Sequence, residues 1–313
     1  MITLNQDQIK EAIPHRYENL LLDSVTIQES EQSLSGQLSL TIYDQDREGR
    51  DIFLAELQRN KKYLALPVYA EIMALVSIVS SRSRLIEGYT SIFAGISNFN
   101  VYDFHAENKE LTGSMALVSD RKGFYKYEGF LEANGKRLCD GCLTAFYTPT
   151  QNLVQKDESD LQLIDVPAMS AVSKENRAKR PDMFICDGLN LVESDSFIAQ
   201  YTYPTDHALV KGHFPGSPLM MGIMQWMCAE DSLCAYLEAS NQTGQSRYLC
   251  SFKLQDRYGR AVADIMDIEC EAFINTEHCV NQVYSRSVKK ILFKKIIQPG
   301  ETVYIYSQKI QRL

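Results

Sequence analysis

Hydrophobic positions along the chain fall into two kinds of run. Two stretches, 66–79 and 223–237, are apolar almost throughout and long enough for several helical turns. Each opens beside Pro or Gly (Pro67; Pro218 and Gly222), so the pattern predicts buried helices at 67–82 and 218–238. Elsewhere apolar and polar residues alternate, the period of a half-buried strand. Two such strands fit between residues 25 and 42, joined through Glu29-Ser30-Glu31-Gln32, and a meander follows at 98–102, 110–118, 123–134 and 137–147. Asn134-Gly135 is a hairpin signal. Residues 1–13 suit a short helix with Ile9, Ala12 and Ile13 on one side.

The stretch 148–175 is polar and weakly patterned, and then the pattern restarts. Arg180, Phe184 and Asp187 repeat the spacing of Arg16, Leu20 and Asp23, a strand-like 197–203 leads into the second helix, and 287–303 parallels 95–111. An internal repeat outranks any single element in setting architecture. It divides the chain into a first domain (1–150), a linker (151–175) and a second domain (176–313). Neither has enough strands to close alone, so the two sheets should join edge to edge into one antiparallel sheet carrying both helices. The second copy departs from the first in an unmatched stretch at 255–284 and in two strands fewer at its end. Inserted strands filling the vacant positions, or a chain that is a piece of something longer, would each account for this.

Composition narrows the class. At 313 residues, 45% hydrophobic and 23% charged, the chain can bury two sizeable cores. It has no run of about 18 uncharged apolar residues and no basic-then-apolar leader, so it is expected to be soluble and cytoplasmic, away from membranes. A formal net charge of −8 argues against nucleic acid. An acidic protein partner would need a local basic patch, for which 174–180 and 59–62 are the candidates; each also reads as a solvated charge run. Of eight cysteines, Cys186, Cys228 and Cys234 lie in apolar runs, as reduced cysteines do. Cys139 and Cys142 have CxxC spacing without the second pair or histidine that a metal would need. No metal and no cofactor is expected.

The chemistry concentrates at 212–222, Gly-His-Phe-Pro-Gly-Ser-Pro-Leu-Met-Met-Gly, where a turn rich in Gly and Pro sets His213 at the mouth of the second helix. A base there would share its space with orphan backbone N–H groups that favour a developing oxyanion. A histidine that merely caps the turn is the alternative. On the first helix Glu71 is the single carboxylate, and burying it is costly unless it is hydrogen-bonded or held near neutral for a task.

The 212–222 segment resembles the active-site segment of the hot-dog-fold 3-hydroxyacyl-[acyl-carrier-protein] dehydratases, GHFPGxPxMPG, with Met221 in place of the proline. The stretch 14–25, from Pro14-His15-Arg16-Tyr17, is similar to the opening strand of the same family. The resemblance implies an α+β double hot dog, two curved antiparallel sheets each wrapped around a central helix. It implies His213 as catalytic base and the Gly222 N–H as holder of the thioester carbonyl. The acyl substrate would lie against Phe214, Pro215, Gly216, Leu219 and Met220 from one copy and Tyr69 from the other. Met224, Trp226, Ile72 and Met73 flank that path, with Trp226 as core. In the family the acid follows the histidine by fourteen residues, where this chain has Met227, so the acid must come from the first copy. The Pro67-to-Glu71 spacing is similar to that in the acid-bearing half of polyketide-synthase dehydratase domains, although Leu75 stands where those carry Gln or His. Glu71 is therefore the expected acid, facing His213 across the junction of the copies, with Glu230 as rival. His15, His105, His207 and His278 are read as surface or structural. The implied activity is dehydration of 3-hydroxyacyl thioesters of acyl carrier protein or CoA, or the reverse hydration, in a possible homo-oligomer. A hot-dog thioesterase and a non-catalytic acyl-binding module are the alternatives.

Overall fold

The computed structural model describes residues 1–31, 33–58, 60–153, 161–193, 196–277 and 279–313. Gln32, Arg59 and His278, which figure in the sequence reading, lie outside the described residues. The first half runs β1 (Ile2–Asn5), α1 (Gln6–Ala12), β2 (Ser24–Glu29), β3 (Leu34–Thr41), a small hairpin β4 (Leu54–Gln58) and β5 (Lys61–Leu64), and α2 (Pro67–Ser80). It closes with four long strands: β6 (Tyr89–Val101), β7 (Glu110–Arg121), β8 (Phe124–Ala133) and β9 (Lys136–Pro149). The second half runs β10 (Ser170–Ala171), β11 (Gly188–Glu193), β12 (Ser196–Thr202), α3 (Gly222–Ala239), β13 (Gly244–Asp256), β14 (Ala261–Ile274), β15 (Gln282–Phe293) and β16 (Thr302–Arg312).

Fourteen of these strands form one antiparallel sheet in the order β1-β2-β3-β7-β8-β9-β6-β15-β14-β13-β16-β12-β11-β10. The halves meet at β6 and β15, from Gly95 opposite Leu292 to Asn100 opposite Ser287, which is the edge-to-edge joining that the repeat calls for. A Cβ on Gly95 would stand 2.6 Å from the carbonyl oxygen of Ile291, so the seam needs glycine there for its close approach. Counted inward from either outer edge, β13 and β14 occupy the places that β8 and β9 hold in the first half. The strands inserted after α3 thus fill the vacant positions, and β15 and β16 take the places of β6 and β7.

Each helix packs on its own half, α2 against β2, β3 and β6 to β9, α3 against β11, β12 and β14 to β16, and the two helices touch. Every α2 residue except Ile78 is buried, as is all of α3 from Ile223 to Leu237, which accounts for two runs without a polar face.

Three local expectations need correction. Residues 1–13 begin as a strand, because Ile2–Asn5 pairs with β2; Asn5 then caps α1 through a reciprocal bond with Gln8. The stretch 14–25 forms no strand until Ser24 and carries one 3-10 turn at Tyr17–Asn19. The Arg16 guanidinium bonds the carbonyls of Ile13 and His15, and the Arg16 N–H is held by the Gly212 carbonyl of the other half, so the segment folds into a tight loop. Part of the expected linker joins the sheet: Ser170–Ala171 pairs with β11. In the basic run 174–180, Lys174 meets Asp187, Arg177 meets Glu238, Lys179 meets Asp231 and Arg180 meets Asp182, so these cations are engaged within the molecule.

Candidate active site

A cavity of about 380 Å³ opens where the two halves meet. His213 and Glu71 both line it, on opposite halves, together with a third residue, His15. The ligand-capable atoms of these three buried side chains all lie within 4.8 Å of one another. The arrangement depends on a close contact between loops: a Cβ on Gly212 would lie 2.2 Å from the Arg16 carbonyl oxygen and 2.3 Å from the Asn19 amide. Glycine at 212 therefore lets the His15 loop sit directly on the His213 turn, where Asn19 also donates to the Leu209 carbonyl.

The His213 ring is fixed by its turn. Its Nδ1 lies 2.9 Å from the Leu219 carbonyl oxygen, an acceptor that sets the proton on Nδ1 and leaves Nε2 as the basic nitrogen. Burial lowers its pKa to about 4, so it is neutral at pH 7 and ready to accept a proton. Glu71 responds to burial in the opposite sense: desolvation raises its carboxyl to about 7, keeping a proton available near neutrality. Gly222 is the first residue of α3 and lines the same cavity; its N–H, lacking an intrahelical acceptor, is free for an oxygen. A neutral imidazole, a carboxyl that keeps its proton near neutrality and the first residue of α3 thus line one space.

From Glu71, the cavity continues along α2 past Ala74 and Ile78, and is bounded by Ile92, Phe93, Phe124, Phe146 and Phe293. Phe214, Leu219 and Met220 line it as expected. Pro215 and Gly216 do not: they are exposed at the outside of the turn. Tyr69 is also misassigned. Its hydroxyl accepts from the His105 N–H at 2.7 Å and reaches the Asp103 carbonyl, so it pins the 103–105 loop from within the core. Ile72, Met73, Met224 and Trp226 are core as well, Trp226 donating to the Ser285 hydroxyl. Gln225 reaches the cavity unforeseen, with its side-chain oxygen buried and unpartnered.

His15 corrects the sequence reading more substantially. Taken there as surface or structural, it is 3% exposed, its ring lies 5.0 Å from His213 and 4.9 Å from Phe214, and its Nε2 is 3.9 Å from the Glu71 Oε1. Burial first, and then the neighbouring His213, lower its pKa, so it is neutral too. The signal available in the sequence was its place in the 14–25 stretch that resembles the dehydratases. His207, by contrast, is structural as expected: Nδ1 accepts from the Leu209 N–H and Nε2 meets the Asp182 carbonyl.

The rival acid Glu230 is elsewhere. Its Oε1 accepts from the Ser285 N–H at 2.9 Å and hydroxyl at 2.5 Å, and it borders a second cavity of only about 20 Å³ beside Lys179 and Asp231. The two cavities are built on corresponding positions. Ala74 and Ile78 line the first, Glu230 and Cys234 the second; three residues before these pairs stand Glu71 and Met227. Fourteen residues further back from each stand Leu57, lining the second cavity, and His213, lining the first. Glu71 thus holds, in the first half, the place that Met227 holds in the second, and the second cavity has neither base nor acid at these places.

No protein-family model matches the chain. Over 141 residues, 45% of the chain and 96% of the relative, it is 26% identical to the 3-hydroxyacyl-[acyl-carrier-protein] dehydratase FabZ of Bacillus velezensis. Among solved structures it is similar to the dehydratase domain from the CurF module of curacin polyketide synthase, at 12% identity and a TM-score of 0.46 over 88% of the chain and 98% of that domain. It is also similar to the dehydratase heterocomplex ApeI:P from Xenorhabdus doucetiae, at 18% identity and a TM-score of 0.37 over 46% of the chain and 93% of that structure.

Proposed function

We propose, for a chain similar in sequence to a hot-dog dehydratase and carrying a base and an acid on opposite halves, that it dehydrates 3-hydroxyacyl thioesters to trans-2-enoyl thioesters, or hydrates them in reverse, in fatty-acid or polyketide synthesis. On this reading the two halves are the two domains of a double hot dog, each with α2 or α3 as its central helix. The observation that carries the reading is the convergence of His213, Glu71 and Gly222 on one cavity.

Elimination then follows from the groups in place. The thioester oxygen accepts from the Gly222 N–H, which acidifies C2 and stabilises the enolate oxygen that develops. The His213 Nε2 removes the C2 proton, and Glu71 protonates the C3 hydroxyl as its C–O bond breaks, leaving water and a C2–C3 double bond. Burial provides both protonation states at once, a neutral imidazole and a carboxyl that retains its proton to about pH 7. Apolar walls along α2 suit an acyl chain and exclude the bulk water that would compete for the enolate. The thioester would be carried by acyl carrier protein or CoA.

The test is a spectrophotometric assay of hydration of crotonyl and longer trans-2-enoyl thioesters. His213→Ala and Glu71→Gln should each lower kcat by about 10²- to 10⁴-fold, the usual contribution of a general acid or base. Full activity in Glu71→Gln would remove it as the acid, and a parent protein inert toward every chain length and carrier would overturn the reading.

A further inference from the structure

The mechanism above leaves His15 without a task; its ring packs against His213 and Phe214, but packing alone gives no reason for a polar ring there. It is a buried polar side chain whose Nδ1 has no hydrogen-bond partner, and such groups are costly. Its Nε2 stops 3.9 Å from the Glu71 Oε1, beyond hydrogen-bond range, so the contact does not repay that cost. The repeat offers a comparison within the same molecule. Counting from Arg16 and Arg180, the residue matching His15 is Lys179, and Lys179 closes on its own helix carboxylate, Asp231, at 2.5 Å. In the second half this position carries a charge paired to a carboxylate of the same half, whereas in the first it holds a neutral ring over a cavity.

A gap of 3.9 Å between a nitrogen and an oxygen is spanned by one further oxygen lying about 2.8 Å from each. In the proposed reaction one substrate oxygen must sit against Glu71, namely the C3 hydroxyl that leaves as water. Resting on that reading, we infer that His15 is a third catalytic residue, its Nε2–H donating to the C3 oxygen and holding it against Glu71 while the carbon–oxygen bond breaks. The His15 ring, stacked edge-on against His213 and Phe214, then fixes where C3 lies relative to the base, so that C2 and C3 present their proton and hydroxyl to opposite halves of the protein. In the hydration direction the same nitrogen positions the incoming water.

His15→Gln and His15→Met separate this role from packing, because the two side chains have similar length and volume and only Gln carries an N–H donor. Both variants would be assayed for hydration of crotonyl thioester and for inhibition by saturated butyryl thioester, which has no C3 oxygen. The expected result is kcat/KM about 10- to 100-fold lower in His15→Met than in His15→Gln, the worth of a hydrogen bond to a group gaining charge, with equal butyryl inhibition constants. Equal activity of the two variants, high or low, would overturn the role, as would a loss of butyryl binding in His15→Met that matches its loss of rate. An inert parent protein would instead overturn the dehydratase reading itself.

Discussion

Glu71 and His213 are kept uncharged by the same burial, and this couples catalysis to pH. On the proposed mechanism, activity requires His213 without its extra proton and Glu71 with its proton. With His213 at about 4 and Glu71 at about 7, kcat/KM for dehydration should rise through pH 4, hold, and fall through pH 7. Rate profiles on a carrier-free thioester would check both limbs, and Glu71→Gln should erase the upper one. The same shift has a cost in stability. The folded protein keeps the Glu71 proton between its ordinary 4.5 and about 7, while the unfolded chain releases it, so stability falls as pH rises through that window. The loss approaches about 3 kcal/mol above pH 7. Glu71→Gln should therefore melt like the parent below pH 4, gain on it between pH 4.5 and 7, and keep a constant advantage beyond, measurable as Tm against pH. His213 and Glu71 were legible in the sequence because each stands in or beside a long apolar run where a titratable group is conspicuous. His15 was not, since it lies in a loop without periodicity, and its ring neighbour His213 is almost two hundred residues away.

At the scale of elements, both helices and the hairpins could be read from spacing, but the faces of the helices could not. A helix buried on every side has no polar stripe to say which residues look into a cavity. Tyr69, Ile72 and Met73 were thus expected along the substrate path, and the cavity is instead lined by Glu71, Ala74 and Ile78, spaced as one face of α2. Ala74 is the narrow side chain one turn beyond the acid, at the place where the second cavity has Glu230. Enlarging it should shorten the channel without touching the reacting groups. Ala74→Leu is expected to keep turnover of crotonyl thioester within a few-fold and to lower kcat/KM for ten-carbon and longer enoyl thioesters by at least about tenfold, the scale of one or two lost methylene contacts. A uniform loss at every length would mean that the channel runs elsewhere. The irregular 14–23 loop, misread as a strand, shows the other limit: Arg16 spends its guanidinium on carbonyls of its own loop, a local closure that period-two patterning does not record.

For the molecule as a whole, the repeat was legible and so was the joined sheet, because two sets of strands that cannot close alone have one another's edges to use. The order of strands was not. The second half sends β13 and β14 into positions that the first half fills with β8 and β9, and a local pattern does not say which neighbour a strand will choose. The two cavities then differ through substitutions at matched positions, Leu57 against His213, Met227 against Glu71 and Glu230 against Ala74. Two equal copies packed side by side would look the same after half a turn, and a delivered acyl group could enter from either direction. This chain has lost that equivalence and has a front and a back. On the proposed function a carrier would approach from one direction and load one acyl group per chain, so two carriers need not compete for room around it. On the same reading the second cavity, tied by the Lys179–Asp231 pair and the Glu230–Ser285 bonds, has no obligation to admit substrate and is free to act as a brace.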